Sequence, residues 1–140
     1  MTPTNPKKIL VTGGGGFLGS AIVRRLVVRG DRVTTLSRSS YAGLESMDVR
    51  QIRADISDAN AVILACRGMD MVIHTAAKPG VWGSYDEYYR PNVMGTENIV
   101  AACRHHHIPV LIHTSSPSVV FTGGDMEGVD ETVPYPETFP

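Results

Sequence analysis

Cysteine is scarce in this 140-residue sequence: Cys66 and Cys103 are the only two. Their separation matches neither a metal-ligand nor a redox-pair spacing. Both fall on predicted helices, where a thiol behaves as a small apolar group, and a reducing, cytoplasmic compartment is expected. A charge excess is missing too, with 13 Lys+Arg against 14 Asp+Glu and no long basic run. Nucleic acid or an anionic membrane is therefore not expected as the main partner. No apolar stretch reaches the length of a membrane span, and AIVRRLVV is broken by Arg24 and Arg25. The N-terminus MTPTNPKK has no apolar core behind its charges, so no signal peptide is expected. Internal repeats and low-complexity segments are likewise missing.

What remains is ordinary for one globular domain: 42% hydrophobic and 19% charged residues. Lys7–Val11 is a short apolar run bounded by turn residues and reads as a strand. From Phe17 to Arg29 the period changes, with Leu18, Ile22 and Leu26 recurring every four residues. This predicts an amphipathic helix, with Gly30 ending it in a left-handed conformation. DRVTTLS (31–37) reads as a second strand, followed by a loop holding a helical turn. VRQIRAD (49–55) reads as a third, followed by a helix over 58–67. MDMVIHTA (69–76) is a fourth strand, whose successive apolar residues suit burial on both faces of a parallel sheet. A helix over 93–106 and a fifth strand, HIPVLIHTSS (107–116), complete the pattern. Strands alternating with helices at this spacing predict an α/β, doubly wound parallel sheet.

The stretch TGGGGFLG (12–19) sits between the first strand and the first helix. Gly13, Gly16 and Gly19 form G-x-x-G-x-x-G, the turn that a nucleotide pyrophosphate needs for close approach to backbone N–H groups and a helix N-terminus. A Cβ at Gly13 or Gly16 would strain the turn or hold the phosphate off, and Gly19 lets the helix pack closely on the sheet. The end of the second strand reports on the ribose: an acid there suits a free 2′-hydroxyl, a cation suits a 2′-phosphate. The sequence reads T-L-S-R-S, so Arg38 with Ser37 and Ser39 favours NADP, with NAD as the alternative.

With these features the chain resembles an extended short-chain dehydrogenase/reductase. It is most similar to the 3β-hydroxysteroid dehydrogenase branch, with dihydroflavonol reductases and sugar-nucleotide epimerases as cousins. Thr12–Gly19 match the motif T-G-G-x-G-F-(L/I)-G. Asp55 and Ile56 match the acidic adenine contact after the third strand. His74, Ala76 and Ala77 match H-x-A-A, Asn92 matches N-V-x-G-T, and Thr114, Ser115 and Ser116 match T-S-S after the fifth strand. The resemblance implies a Rossmann-type fold and cofactor contacts from Thr12, Gly13, Gly14, Gly16, Phe17, Leu18, Gly19, Asp55, Ile56, Ala76, Ala77, Asn92, Thr114 and Ser115. It implies a substrate-holding hydroxyl at Ser116, with Ser115 as the near alternative, and a secondary alcohol or ketone as substrate.

The family also uses a Tyr-x-x-x-Lys pair as proton donor, and here the sequence departs. The three lysines are Lys7, Lys8 and Lys78, and none follows a tyrosine by four; Tyr135 is followed by Phe139. Residues 1–140 therefore read as the cofactor-binding part of a longer enzyme, C-terminally incomplete, binding cofactor with little catalysis. A sugar-nucleotide epimerase or dehydratase fragment, or a non-catalytic dinucleotide sensor, is the alternative. Oligomeric state stays open, a homodimer included.

Two other clusters and one lysine invite a function. His105–His107 suggest a metal site, but adjacent residues point in different directions and suit a helix C-terminus, so no metal is expected. WGSYDEYYR (82–90) presents aromatics that would line a substrate pocket or simply pack a helix. Lys78 is either solvated or close to the cofactor.

Overall fold

A computed structural model of the chain describes residues 5–138. The elements are β1 (Lys8–Thr12), α1 (Phe17–Arg29), β2 (Arg32–Ser37), α2 (Ala42–Glu45), β3 (Arg50–Arg53), α3 (Ala59–Cys66), β4 (Met71–His74), α4 (Tyr85–Tyr89), α5 (Gly95–His105) and β5 (Leu111–His113). A π-helical turn, Arg90–Met94, joins α4 to α5, and a 3₁₀ turn, Pro117–Val120, follows β5.

All strand pairings are parallel, in the order β3-β2-β1-β4-β5. The central strand β1 pairs Thr12 with Leu36 of β2 on one side and with His74 of β4 on the other. Alternate residues of β1 serve opposite faces, as the strand period requires. Leu10, with Leu36 and Val72, packs under Val62, Cys66, Ile99 and Ala102 of α3 and α5. Ile9 and Val11, with Val33 and Ile73, pack under Val23 and Leu26 of α1. Both faces are covered, which makes this the expected doubly wound sheet. Strand order reverses between β1 and β4, and in such sheets the crevice at that reversal, beyond the strands' C-terminal ends, is where ligands bind.

The first helix spans the predicted residues, and Gly30 closes it at φ +93, its N–H reaching the carbonyls of Leu26 and Val27. Most other boundaries shift by a residue or two, and three differences have a visible cause. The helix expected from Val93 begins earlier, at Tyr85, and passes through the π turn at Pro91. Proline has no N–H to donate, and Gly95 N–H reaches back five residues to the Arg90 carbonyl instead. The fifth strand is only Leu111–His113. His107 takes a positive φ of 54 at the end of α5, and Pro109 delays the pairing. The fourth strand stops at His74, so Thr75 and Ala76 leave the sheet and turn towards the crevice.

Candidate functional site

The glycine turn sits at the C-terminal end of β1 and supplies the start of α1. Gly13 has φ +69, and a Cβ there would lie 2.9 Å from the backbone of Ala76, so strain and contact both demand glycine. A Cβ at Gly14 would meet Thr35 of β2 at 2.5 Å, and one at Gly15 would overlap the Tyr41 ring. At Gly19 it would overlap the Gly13 carbonyl, so the close packing expected of Gly19 is against the turn itself. Gly16 is the N-cap of α1 and provides no side-chain cap. The N–H groups of Phe17, Leu18 and Gly19 have no backbone or side-chain acceptor among the described residues, as expected of a helix start left for an anion.

These donors stand beside a cleft of about 640 Å³. It is lined by Gly13 and Gly16, by Ser37, Arg38 and Tyr41 after β2, and by Asp55 and Ile56 after β3. Thr75 to Pro79 after β4, with Asp86, Glu87, Arg90 and Pro91, close the other side. Residues from four strand ends, expected from separate motifs, therefore converge. Ser37 Oγ is buried at this lip yet has no hydrogen-bond partner among the described residues. A hydroxyl left so is costly unless a ligand group completes it.

Electrostatics vary along the cleft. Asp55 accepts from the Ser57 backbone N–H and from its hydroxyl, each at 2.8 Å. The Ser57 backbone bond above all holds the carboxyl below its usual pKa, against partial desolvation; the Ser57 hydroxyl, Arg38 and Arg90 add to it. Asp55 is thus an ionised acceptor, while Arg38 is exposed and has no carboxylate partner among the described residues.

Other expected residues lie elsewhere. Thr12 is fully buried, its hydroxyl turned to His74. Phe17 is 98% exposed and Leu18 partly so, at the outer rim of the turn. Asn92 spends its side chain on the main chain of Lys78. Thr114 bonds the His74 carbonyl through its N–H, and Ser115 and Ser116 follow at the surface. Ser116 Oγ stands 2.7 Å from Ser118 Oγ and accepts from the Ser118 N–H, capping the 3₁₀ turn.

Tyr41 and Arg90 escaped the sequence reading. The four-glycine run was the available signal for Tyr41, since its ring occupies the space that Gly15 leaves. Lys78 lines the cleft, paired with Glu87 at 3.2 Å and lying 5.0 Å from the centre of the Tyr88 ring. Trp82 is 89% exposed, while Tyr85 and Tyr89 stack on each other. His106 meets the Ile63 carbonyl, and no group of three or more metal-ligating side chains forms among the described residues. No described helix is long and apolar enough to cross a membrane.

Known proteins are similar to this chain in sequence and fold. A 2-alkyl-3-oxoalkanoate reductase of Stenotrophomonas maltophilia is 52% identical over 134 residues, covering 94% of this chain and 41% of the reductase. A 3 beta-hydroxysteroid dehydrogenase/Delta 5-->4-isomerase of Mycobacterium tuberculosis is 36% identical over 139 residues, 94% of this chain and 38% of that protein. The chain thus spans about two fifths of the length of these relatives. Among solved structures, Thermus thermophilus UDP-glucose 4-epimerase in complex with NAD superposes with a TM-score of 0.79 at 31% identity, covering 92% of this chain and 44% of the epimerase. The strand order, the glycine turn and a family model matching residues 10–140 agree, and the chain belongs to the 3-beta hydroxysteroid dehydrogenase/isomerase family.

Proposed function

We propose that these residues form the nicotinamide-dinucleotide-binding part of an oxidoreductase acting on a secondary alcohol or ketone. One observation carries the reading: the uncapped start of α1 opens beside the same cleft as the partnerless Ser37 hydroxyl, Arg38 and Asp55. The N–H groups of Phe17, Leu18 and Gly19 would hold the pyrophosphate, with Gly16 placing no side chain over them and Gly13 and Gly14 letting the turn lie close against Ala76 and Thr35. Asp55 and the adjoining Ile56 would take the adenine, and Ala76 and Ala77 would border the bound dinucleotide. Thr114 and Ser115 stand at the neighbouring strand end and would border its nicotinamide half. When bound, the nicotinamide supplies or accepts a hydride.

A substrate carbonyl receiving that hydride needs a hydrogen-bond donor on its oxygen and a proton source. Ser116, or Ser115 beside it, would donate the hydrogen bond. The 140 residues hold no Tyr-x-x-x-Lys pair to supply the proton. They are therefore expected to bind the dinucleotide with negligible turnover.

The finer preference is NADP over NAD. Arg38 is a free guanidinium beside the unsatisfied Ser37 hydroxyl, a pair suited to a phosphate on the ribose. The epimerase described above was solved with NAD, so this preference rests on the chain's own residues. Fluorescence titration of the folded chain checks it: NADPH should bind more tightly than NADH, and Arg38→Ala should weaken NADPH about tenfold while sparing NADH. Tighter NADH binding that is indifferent to Arg38→Ala would remove the preference. No binding of either dinucleotide would remove the reading as a whole.

A further inference from the structure

His74, the last residue of β4, is 1% exposed and touches three elements. Its Nδ1 lies 2.6 Å from Thr12 Oγ1 and its Nε2 lies 3.1 Å from Thr96 Oγ1. The proton positions follow from the neighbours. Thr96 Oγ1 is 2.7 Å from the Asn92 carbonyl, an acceptor, so the single hydroxyl proton goes there. Thr96 Oγ1 must then accept from His74, and Nε2 carries the hydrogen. Nδ1 becomes the acceptor and takes the Thr12 hydroxyl proton. A Thr12 lone pair remains to accept the Ala76 N–H at 3.2 Å. Every bond is satisfied by one arrangement, a neutral ring in the Nε2–H tautomer. Burial, and then the His113 ring stacked at 5.2 Å, push the His74 pKa down to about 4, which keeps the ring neutral.

The same stretch of helix grips the far end of the segment that follows. Asn92 Oδ1 accepts the Lys78 N–H at 2.8 Å, and Asn92 Nδ2 donates to the Lys78 carbonyl at 3.1 Å. Between the two ends, Thr75 Oγ1 donates to the Thr12 carbonyl at 2.7 Å. Residues 74–78 are thus held at one end through Thr96, at the other through Asn92, and in the middle by Thr12. Residues 75–78 line the cleft, and Ala76 stands against Gly13.

We infer that His74 is a positioning residue: with Thr96 it clamps the segment leading to Lys78 so that one wall of the cleft keeps a set distance from the glycine turn. The inference rests on the dinucleotide reading of the cleft. A binding site needs its walls preorganised, since any ordering left to the ligand is subtracted from affinity.

Three measurements on the 140-residue chain test it. In the ligand-free protein, nitrogen NMR should find His74 neutral with hydrogen on Nε2; an Nδ1–H or charged ring at neutral pH overturns the clamp. Thr96→Val should speed hydrogen exchange at the Ala76 and Lys78 amides and weaken NADPH binding about tenfold, the effect of one lost buried hydrogen bond. Thr96→Ser should restore both. His74→Asn, which keeps an acceptor towards Thr12 and loses Thr96, should behave as Thr96→Val and serves if the valine variant does not fold. Unchanged exchange and affinity in these variants, with normal wild-type binding, overturns the positioning role. A folded wild type that binds neither NADPH nor NADH overturns the reading of the cleft instead.

Discussion

Gly13 and His74 differ in how a linear reading reaches them. Gly13 is identified by spacing, and its positive φ is the backbone reason a glycine stands there. The hydrogen-bond partners of His74 lie 62 and 22 residues away along the chain, so its role becomes visible only once β1, β4 and α5 are assembled. Tyr41 is similar, because the space that Gly15 leaves does not say which distant side chain fills it. The buried histidine has a pH consequence. Its pKa falls from about 6.5 in an unfolded chain to about 4 in the folded one. The unfolded state therefore binds the proton first, and the stability linked to His74 is complete above pH 6.5 and is lost as pH falls towards 4. The shift corresponds to about 3 kcal/mol. Between pH 7 and pH 4.5 denaturant unfolding should show the wild type losing about 2 kcal/mol more stability than His74→Gln, the part of the shift that falls in that window; parallel losses would contradict it.

The two helices α1 and α3 show how a helix start is given or denied a ligand. Asp58 caps α3, its carboxylate accepting from the N–H groups of Asn60 and Ala61 at 3.0 and 3.1 Å. At the same position α1 has Gly16, in an extended conformation that any residue adopts (φ −77, ψ 177), with only the Gly13 carbonyl near an added Cβ, at 3.3 Å. A built-in carboxylate there should cap α1 as Asp58 caps α3. Gly16→Asp is accordingly expected to hold or raise thermal stability, by up to about 1 kcal/mol, while abolishing NADPH binding through competition and charge repulsion. Thermal melts beside a fluorescence titration check both halves; retained NADPH affinity would argue against an anion at this helix. Amphipathic periodicity and Gly30 identified α1 to the residue, because both signals are local. The helix from Tyr85 to His105 was harder to read, since Pro91 ordinarily marks a boundary and only the long-range packing of α5 carries the helix through it as a π turn.

The assembled sheet treats its two edges differently. β3 presents Arg50 and Arg53, charges that discourage edge pairing. β5 pairs only with β4 among the described residues, and Ile112 is 49% exposed, with Phe121 and Val119 partly so. An apolar, half-paired edge invites a further strand or a second copy. The 140-residue chain should associate as its concentration rises, and Ile112→Lys should suppress this in sedimentation velocity; association that persists unchanged would mean another surface is responsible. The alternation of apolar runs and amphipathic stretches was enough to specify the doubly wound class, the glycine turn and the residue types at its lip, because each depends on near neighbours in the chain. Bringing Ser37, Arg38, Asp55 and Lys78 around one cleft, leaving one buried serine hydroxyl unsatisfied there among the described residues, and fixing the proton on His74 depended on the parallel register of β1 with β2 and β4, of β2 with β3, and on α5 lying across His74. Strand pairing sums weak contacts between segments 24 and 62 residues apart, and no local pattern encodes which atoms those contacts leave without a partner.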